Sequence, residues 1–246
     1  MTETTDAANG KKSASNAGRA LPKWEAGAQN RLRNAIRKYT KPLADLVARD
    51  ANEGDTRLLV TDFLCEGLGF DKYEDLTTEY LVKGEFADYG VRIDKQPVAF
   101  IEVKRVTTKL SERHLRQVET YALNEGLEWV ILTNGVCWQL YHLALSPGLP
   151  VQIDLALDVN LLSDGTIAHK ASDLFFLTRE SLKRKLVDEL WKAKRATSPK
   201  SLAKMLCSES VADAIRRELR RTTGYNALGT EIVRLLKETV IRPDCL

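Results

Sequence analysis

Phe86-Ala87-Asp88-Tyr89-Gly90-Val91-Arg92-Ile93, then Asp94-Lys95-Gln96, then Pro97-Val98-Ala99-Phe100-Ile101-Glu102-Val103-Lys104: this stretch decides the fold. The first and last runs are rich in β-branched and aromatic residues and alternate in polarity, so they predict two strands around a short turn. With Asp94, Lys95 and Gln96 as the loop, Asp88 falls opposite Glu102, and directly opposed side chains in an antiparallel pair lie about 5 Å apart. Glu102 and Lys104 are two residues apart and share a face. Two carboxylates and an ammonium therefore meet on one small area, an arrangement that is costly unless a cation separates the carboxylates.

A hard divalent cation suits that pattern. Mg2+ prefers oxygen ligands and is commonly held by one or two carboxylates, waters and a substrate phosphate. Asp88 and Glu102 offer side-chain oxygens and Val103 a carbonyl, with Mn2+ as a substitute ion. Lys104 can orient an attacking water or neutralise charge developing on a phosphate. A plain hairpin with its charges facing solvent would read the same, so the hairpin alone does not decide.

The following segment adds to it. Ser111 to Glu125 has helical spacing, with Leu115, Val118 and Ala122 inward and Gln117 and Tyr121 stacked four apart on one face. Trp129 to Gly135 reads as a buried strand ending in a turn, and Val136 to His142 as its hairpin partner.

The whole order resembles the PD-(D/E)XK nuclease superfamily, and within it the N-terminal nuclease domain of type I restriction endonuclease R subunits. The resemblance rests on Asp88, Glu102-Val103-Lys104, Gln117-x-x-x-Tyr121 and the run from Leu132-Thr-Asn-Gly135 to Trp138 and Tyr141. Upstream, Asn52-Glu53, Thr56-Arg57 and Leu68-Gly69-Phe70-Asp71 match the family's first helix and its exit. The family's Pro before the Asp is replaced by Ala87. The resemblance covers about residues 50 to 145. It implies phosphodiester hydrolysis in DNA, with Asp88, Glu102, Lys104 and Gln117 as the catalytic set and Gln117 positioning water or phosphate. It also implies a first-helix Glu directed at the metal. Glu53 is the candidate, although a carboxylate in the first turn of a helix is equally explained by the macrodipole. Glu79, on the preceding strand, and Tyr121 are supporting residues, and Arg113 and Arg116 are candidate phosphate contacts.

Composition sets the outer bounds. The chain has 246 residues and a formal charge of +3. Residues 1–50 carry 10 Lys/Arg against 5 Asp/Glu, residues 51–178 carry 11 against 20, and residues 179–246 carry 16 against 9. An acidic middle between basic ends fits a metal-binding centre held to a polyanion by its flanks. Arg216, Arg217 and Arg220 are the C-terminal candidates for nucleic-acid contact. No apolar run is long enough for a membrane span and the first residues lack an apolar leader core, which point to the cytoplasm. Cys65, Cys137, Cys207 and Cys245 are too dispersed for a zinc or disulfide framework. The sequence contains no G-x-x-x-x-G-K-[ST] phosphate loop. The family's ATP-driven motor is therefore not encoded in this sequence. The expectation is either a stand-alone nuclease module or one that works with a motor supplied by another chain. DNA is the expected partner, joined in the second case by a separate motor or specificity subunit. A homo-oligomer stays open.

Taken in order, residues 1–22 are too poor in large apolar side chains to fold and read as a disordered tail. Trp24 to Arg49 reads as amphipathic helix, kinked or divided at Pro42. Arg31, Arg33, Arg37, Lys38 and Lys41 lie on its polar side, facing solvent or phosphate. Glu53 to Gly67 reads as a second helix with Leu58, Leu59, Phe63 and Leu64 inward. Thr77 to Val82 is a first strand, and Leu149 to Leu157 a late one. From Thr178 the chain is helical. These readings combine into an α/β, restriction-endonuclease-like fold over residues 23–177, a mixed central sheet flanked by helices, with a basic helical extension over 178–246. The leading function is a Mg2+-dependent DNA endonuclease. The alternative is a catalytically inactive nucleic-acid-binding or regulatory module on the same fold.

Overall fold

A computed structural model of the protein describes residues 21–82, 85–116, 118, 122, 125–144 and 151–245, with 79–82, 85 and 86 as backbone. Among these described residues six strands form one mixed sheet in the order β1 to β6: Leu76–Val82, Glu85–Ile93, Gln96–Val103, Trp129–Thr133, Cys137–Ala144 and Gln152–Asn160. Neighbours are antiparallel except β3 and β4, which are parallel. A parallel pair needs a crossover. The segment between β3 and β4 provides it, burying Leu115, Val118 and Ala122 with Phe100, Val130 and Leu132 on one face of the sheet. The other face carries the larger core under α1 (Lys23–Ala48) and α2 (Glu53–Glu66). Among the described residues no helix is long and apolar enough to cross a membrane.

The β2–β3 turn is tighter than the sequence predicts. Only Asp94 and Lys95 form it, both at positive φ (52° and 69°), and Ile93 pairs with Gln96. Two left-handed residues suit the twist of a two-residue hairpin. Arg92 then pairs with Pro97 but Val91 with Ala99, so Val98 is an extra residue in β3. This bulge restores the alignment that a three-residue loop would have given, and Tyr89 meets Ile101. Proline has no N–H for the ladder, and a bulge is where a sheet tolerates it.

Helix α1 runs through Pro42 without a break. An interior proline costs about 3 kcal/mol. Leu43 and Leu46, buried just beyond it, each return roughly 1.5–3 kcal/mol, enough to hold the last turn in place. In α2 the inward face is rotated from the expected one: Thr56, Val60, Phe63 and Leu64 are buried, whereas Leu58 is 70% exposed. The polar Thr56 takes an inward position because it has hydrogen-bond partners there.

Arg31 is neither a phosphate contact nor a solvated charge. Its guanidinium donates to the Gly67 and Leu68 carbonyls at the end of α2 and pairs with both oxygens of Glu180 (2.9 and 2.7 Å). It lies against Gly69 (φ 81°), where a Cβ would collide with it.

The core continues past residue 177. Leu182 and Val187 are buried in it, and Arg179 grips the buried Asp75 through two bonds (2.6 and 3.2 Å). Beyond, helices Arg179–Lys183 (α4), Leu186–Ala196 (α5), Pro199–Leu206 (α6), Glu209–Thr223 (α7) and Gly229–Leu235 (α8) follow α3 (Ile167–Leu174). Ser198 caps α6 with proline in its first turn. Replacing Asp75 by Ala would leave Arg179 without its acceptor, and breaking a pair with one buried partner costs several kcal/mol. We expect Asp75→Ala to lose about 2–4 kcal/mol in urea unfolding, with the charge-conserving Asp75→Glu losing less.

Candidate active site

The site forms where β2 and β3 leave their ladder. One step past the Tyr89–Ile101 pair, Asp88 stands beside Glu102, and the Val103 N–H donates to Asp88 Oδ2 at 2.7 Å. Val103 itself is buried and pairs with Thr133 of β4. The Lys104 N–H donates to the Thr133 carbonyl (2.8 Å), which holds the strand end straight as the chain departs.

Each carboxylate faces a cation. Lys104 Nζ lies 2.5 Å from Glu102 Oε1, and Arg57 Nη2 lies 2.5 Å from Asp88 Oδ1. Glu53, one turn before Arg57 on α2, reaches to 3.9 Å of the same guanidinium. Glu102 is only 5% exposed. Burial raises its pKa above the usual carboxylate value; Asp88 and Glu53 add to that, and the hydrogen bond from Lys104 opposes it. For Lys104 burial acts downward, but the bond and charge of Glu102, with Glu53 and Asp88 behind it, outweigh burial and leave the ammonium raised. Lys104 is thus a firmly protonated donor beside a carboxylate that burial and two neighbouring negative charges oppose. Among the described residues no group of three or more His, Cys, Asp or Glu side chains is arranged around one point as metal ligands.

The loop after Lys104 is tied down by residues whose roles the sequence does not reveal. The Val106 N–H donates to Thr56 Oγ1 (3.1 Å), and that hydroxyl donates to the Asn52 carbonyl (2.9 Å). Asn134 is buried, donates to the carbonyls of Val106 and Thr108 (3.1 and 2.9 Å) and accepts from the Cys137 N–H (2.7 Å). Arg105 donates to the Ala51 and Asp50 carbonyls and pairs with the Asp50 carboxylate. These bonds fasten the start of α2, where Asn52 accepts from the Asp55 N–H (2.8 Å), to the strand end carrying Lys104. The buried ones, from the Val106 N–H to Thr56 and from Asn134 to the Val106 carbonyl, are costly to remove one partner at a time. Thr56-Arg57 and Thr133-Asn134-Gly135 stand out in the sequence only as parts of a resemblance, without a task.

The other predicted residues divide. Glu79 lies on β1 between the Thr78–Tyr89 and Tyr80–Ala87 pairs, hence on the strand beside Asp88; its side chain is outside the described residues, as are Gln117 and Tyr121. Arg113 lines a hollow with Lys109, Ser111, Glu112 and Tyr141, and Arg116 is exposed. Between them His114 accepts from the Ser111 N–H at 3.2 Å, and burial, Arg113 and Lys104 all lower its pKa. Arg216, Arg217 and Arg220 are on α7: Arg216 pairs with Asp213 (3.3 Å), Arg217 donates to the Asp213 carbonyl (3.4 Å), and Arg220 is exposed. Among the described residues no hydrogen bond or ion pair links them to the Asp88–Glu102 cluster.

The segment that supplies α2, the hairpin, the crossover and β4–β5 is also the segment that compares with known proteins. Residues 52–154 match the type I restriction enzyme R protein N terminus. The matched span of this family model includes Glu53, Arg57, Asp88, Glu102 and Lys104, and excludes α1 and everything beyond Asp154. The match is consistent with a restriction-nuclease-like domain over these residues. No curated protein and no solved structure matches.

Because Glu102 binds its proton more tightly folded than unfolded, it favours the folded state below its ordinary value of 4.5. That contribution is lost as pH rises through the raised value. In metal-free buffer, stability should therefore decline over that window, and Glu102→Gln, which keeps an acceptor for Lys104, should flatten the decline. Thermal melts of both proteins across the window provide the comparison.

Proposed function

We propose that the domain hydrolyses phosphodiester bonds in DNA with a divalent cation, Mg2+ or in its place Mn2+. The observation that carries this reading is the meeting of Asp88, Glu102 and Lys104 at one strand end. The donor set fits a hard cation: carboxylate oxygens, a buried Glu102 whose charge is opposed by its neighbours, and three carboxylates, counting Glu53, against two side-chain cations. Asp88, Glu102 and the Val103 carbonyl would hold the ion, with Glu53 at the rim. Bound there, it would supply polarisation of the phosphoryl group and neutralise developing charge. Lys104, kept protonated, donates to the attacking water or to a phosphate oxygen. Gln117 is proposed to position that water or the phosphate, with Tyr121 bracing it and Glu79 supporting the centre from β1.

Arg113 and Arg116 on the crossover segment, and Arg216, Arg217 and Arg220 on α7, are proposed to grip the DNA backbone. A motor or specificity subunit on another chain is proposed to bring the DNA. The second reading, a catalytically silent nucleic-acid-binding or regulatory module, is favoured by one observation: both carboxylates are already neutralised by Arg57 and Lys104.

Nicking of supercoiled plasmid with Mg2+, Mn2+ or chelator separates the two. We expect metal-dependent nicking that Asp88→Ala and Glu102→Ala abolish together with metal uptake in calorimetry. Lys104→Ala should still bind metal and DNA but lose on the order of 10²–10³ in rate, as loss of one positioned charge does. A parent protein with neither metal uptake nor nicking hands the case to the silent module. For the flank, Arg217→Ala with Arg220→Ala should weaken DNA binding evenly across sequences. The salt dependence should become shallower by about one counterion per lost phosphate contact, read by fluorescence anisotropy over a salt series.

A further inference from the structure

Arg57 does not look like an ordinary brace. Its backbone is fixed: Asn52 caps the helix, Thr56 beside it is bonded to Val106, and the Arg57 carbonyl accepts from the Tyr89 hydroxyl (3.3 Å). Its head is less settled. One nitrogen meets Asp88 Oδ1 at 2.5 Å and Glu53 is 3.9 Å away, yet Nε is buried with no hydrogen-bond partner. A buried, unpaired donor on a guanidinium is unfavourable, and the other Asp88 oxygen is already bonded to the Val103 N–H. Arg57 thus covers the Asp88 oxygen that no backbone donor holds. The side chain is 35% exposed, which leaves it an outward path.

The charges define what it would meet on that path. Asp88, Glu102 and Glu53 against Arg57 and Lys104 leave the cluster at −1. A divalent ion would bring it to +1, which one phosphodiester group neutralises. A guanidinium freed from Asp88 presents Nε and Nη together, a fork that matches two phosphate oxygens.

We propose that Arg57 is a stand-in cation that holds Asp88 while no metal is bound, yields that carboxylate to the metal, and then binds a DNA phosphate at the site. This rests on the metal-dependent reading above. It makes Arg57 a substrate-positioning residue and makes DNA contact at the centre conditional on metal.

The test combines calorimetric titration of Mg2+ and Mn2+ with DNA binding, the latter in a Lys104→Ala background so that the strand stays intact. Arg57→Gln should bind metal roughly fivefold more tightly, since a competing positive charge has gone. Its DNA affinity should fall about tenfold with metal and stay unchanged in chelator, because in chelator Asp88 already detains the arginine. Arg57→Lys keeps the charge without the fork: metal affinity should stay near the parent value while metal-dependent DNA affinity still falls. If Arg57→Gln weakens metal binding and lowers the melting temperature, Arg57 is a brace for Asp88 and the proposal is overturned. Equal DNA losses with and without metal, or an Arg57→Lys protein that matches its parent in both assays, also overturn it. Those outcomes leave the metal-dependent reading standing if the parent takes up Mg2+ or Mn2+; a parent that takes up neither ends both.

Discussion

Two carboxylates brought together at the end of a strand must be neutralised, and this requirement shapes everything around them. Glu102 is almost fully buried and Asp88 stands beside it, so repulsion and desolvation act in the same direction. The protein answers with Lys104 from the same strand and Arg57 from a helix on the opposite side. The first answer follows from strand geometry, because residues two apart share a face. The second requires α2 to be held at a fixed distance and angle from β2.

The holding is done by ordinary polar groups. Thr56 joins α2 to Val106, Asn134 joins the β4–β5 turn to the same loop, and Arg105 reaches back to Asp50 and Ala51. The loop that leaves the site is therefore gripped from two sides, from α2 and from the β4–β5 turn. Farther out, Arg31 and Arg179 use the same device, each forking onto a carboxylate to bind the segment after β6 to the body. The arginines of the basic ends are thus placed in two ways. Some arginines are spent on the interior, while Arg217 and Arg220 on α7 face solvent, where a polyanion could reach them.

The match to the type I restriction enzyme R protein N terminus covers the hairpin, its crossover and α2, and the neutralised cluster lies wholly inside it. A family likeness identifies a domain, but chemistry depends on the site. Here the site holds two adjacent carboxylates, each already paired with a cation. Under the proposed function, metal uptake rather than fold is therefore what separates a nuclease from a silent relative.

The sequence by itself determined the local elements and the pairing inside them. Alternation and helical spacing located all six strands within a few residues, and the distance from Asp88 to Glu102 along the hairpin fixed their meeting. The shorter turn does not shift that meeting, because the bulge at Val98 adds back the residue that the two-residue turn removes. Tertiary structure decided what no local pattern encodes. Leu58 faces out and Thr56 in, because α2 is rotated by its bonds to the loop after Lys104. Helix α1 passes through Pro42 because Leu43 and Leu46 are buried beyond it. Arg31 is held inside the fold, away from any phosphate, because the end of α2 and Glu180 converge on it. Arg57 joined the site for the same physical reason: its partner Asp88 is thirty-one residues away along the chain, and only packing of helix on sheet brings them within hydrogen-bond reach.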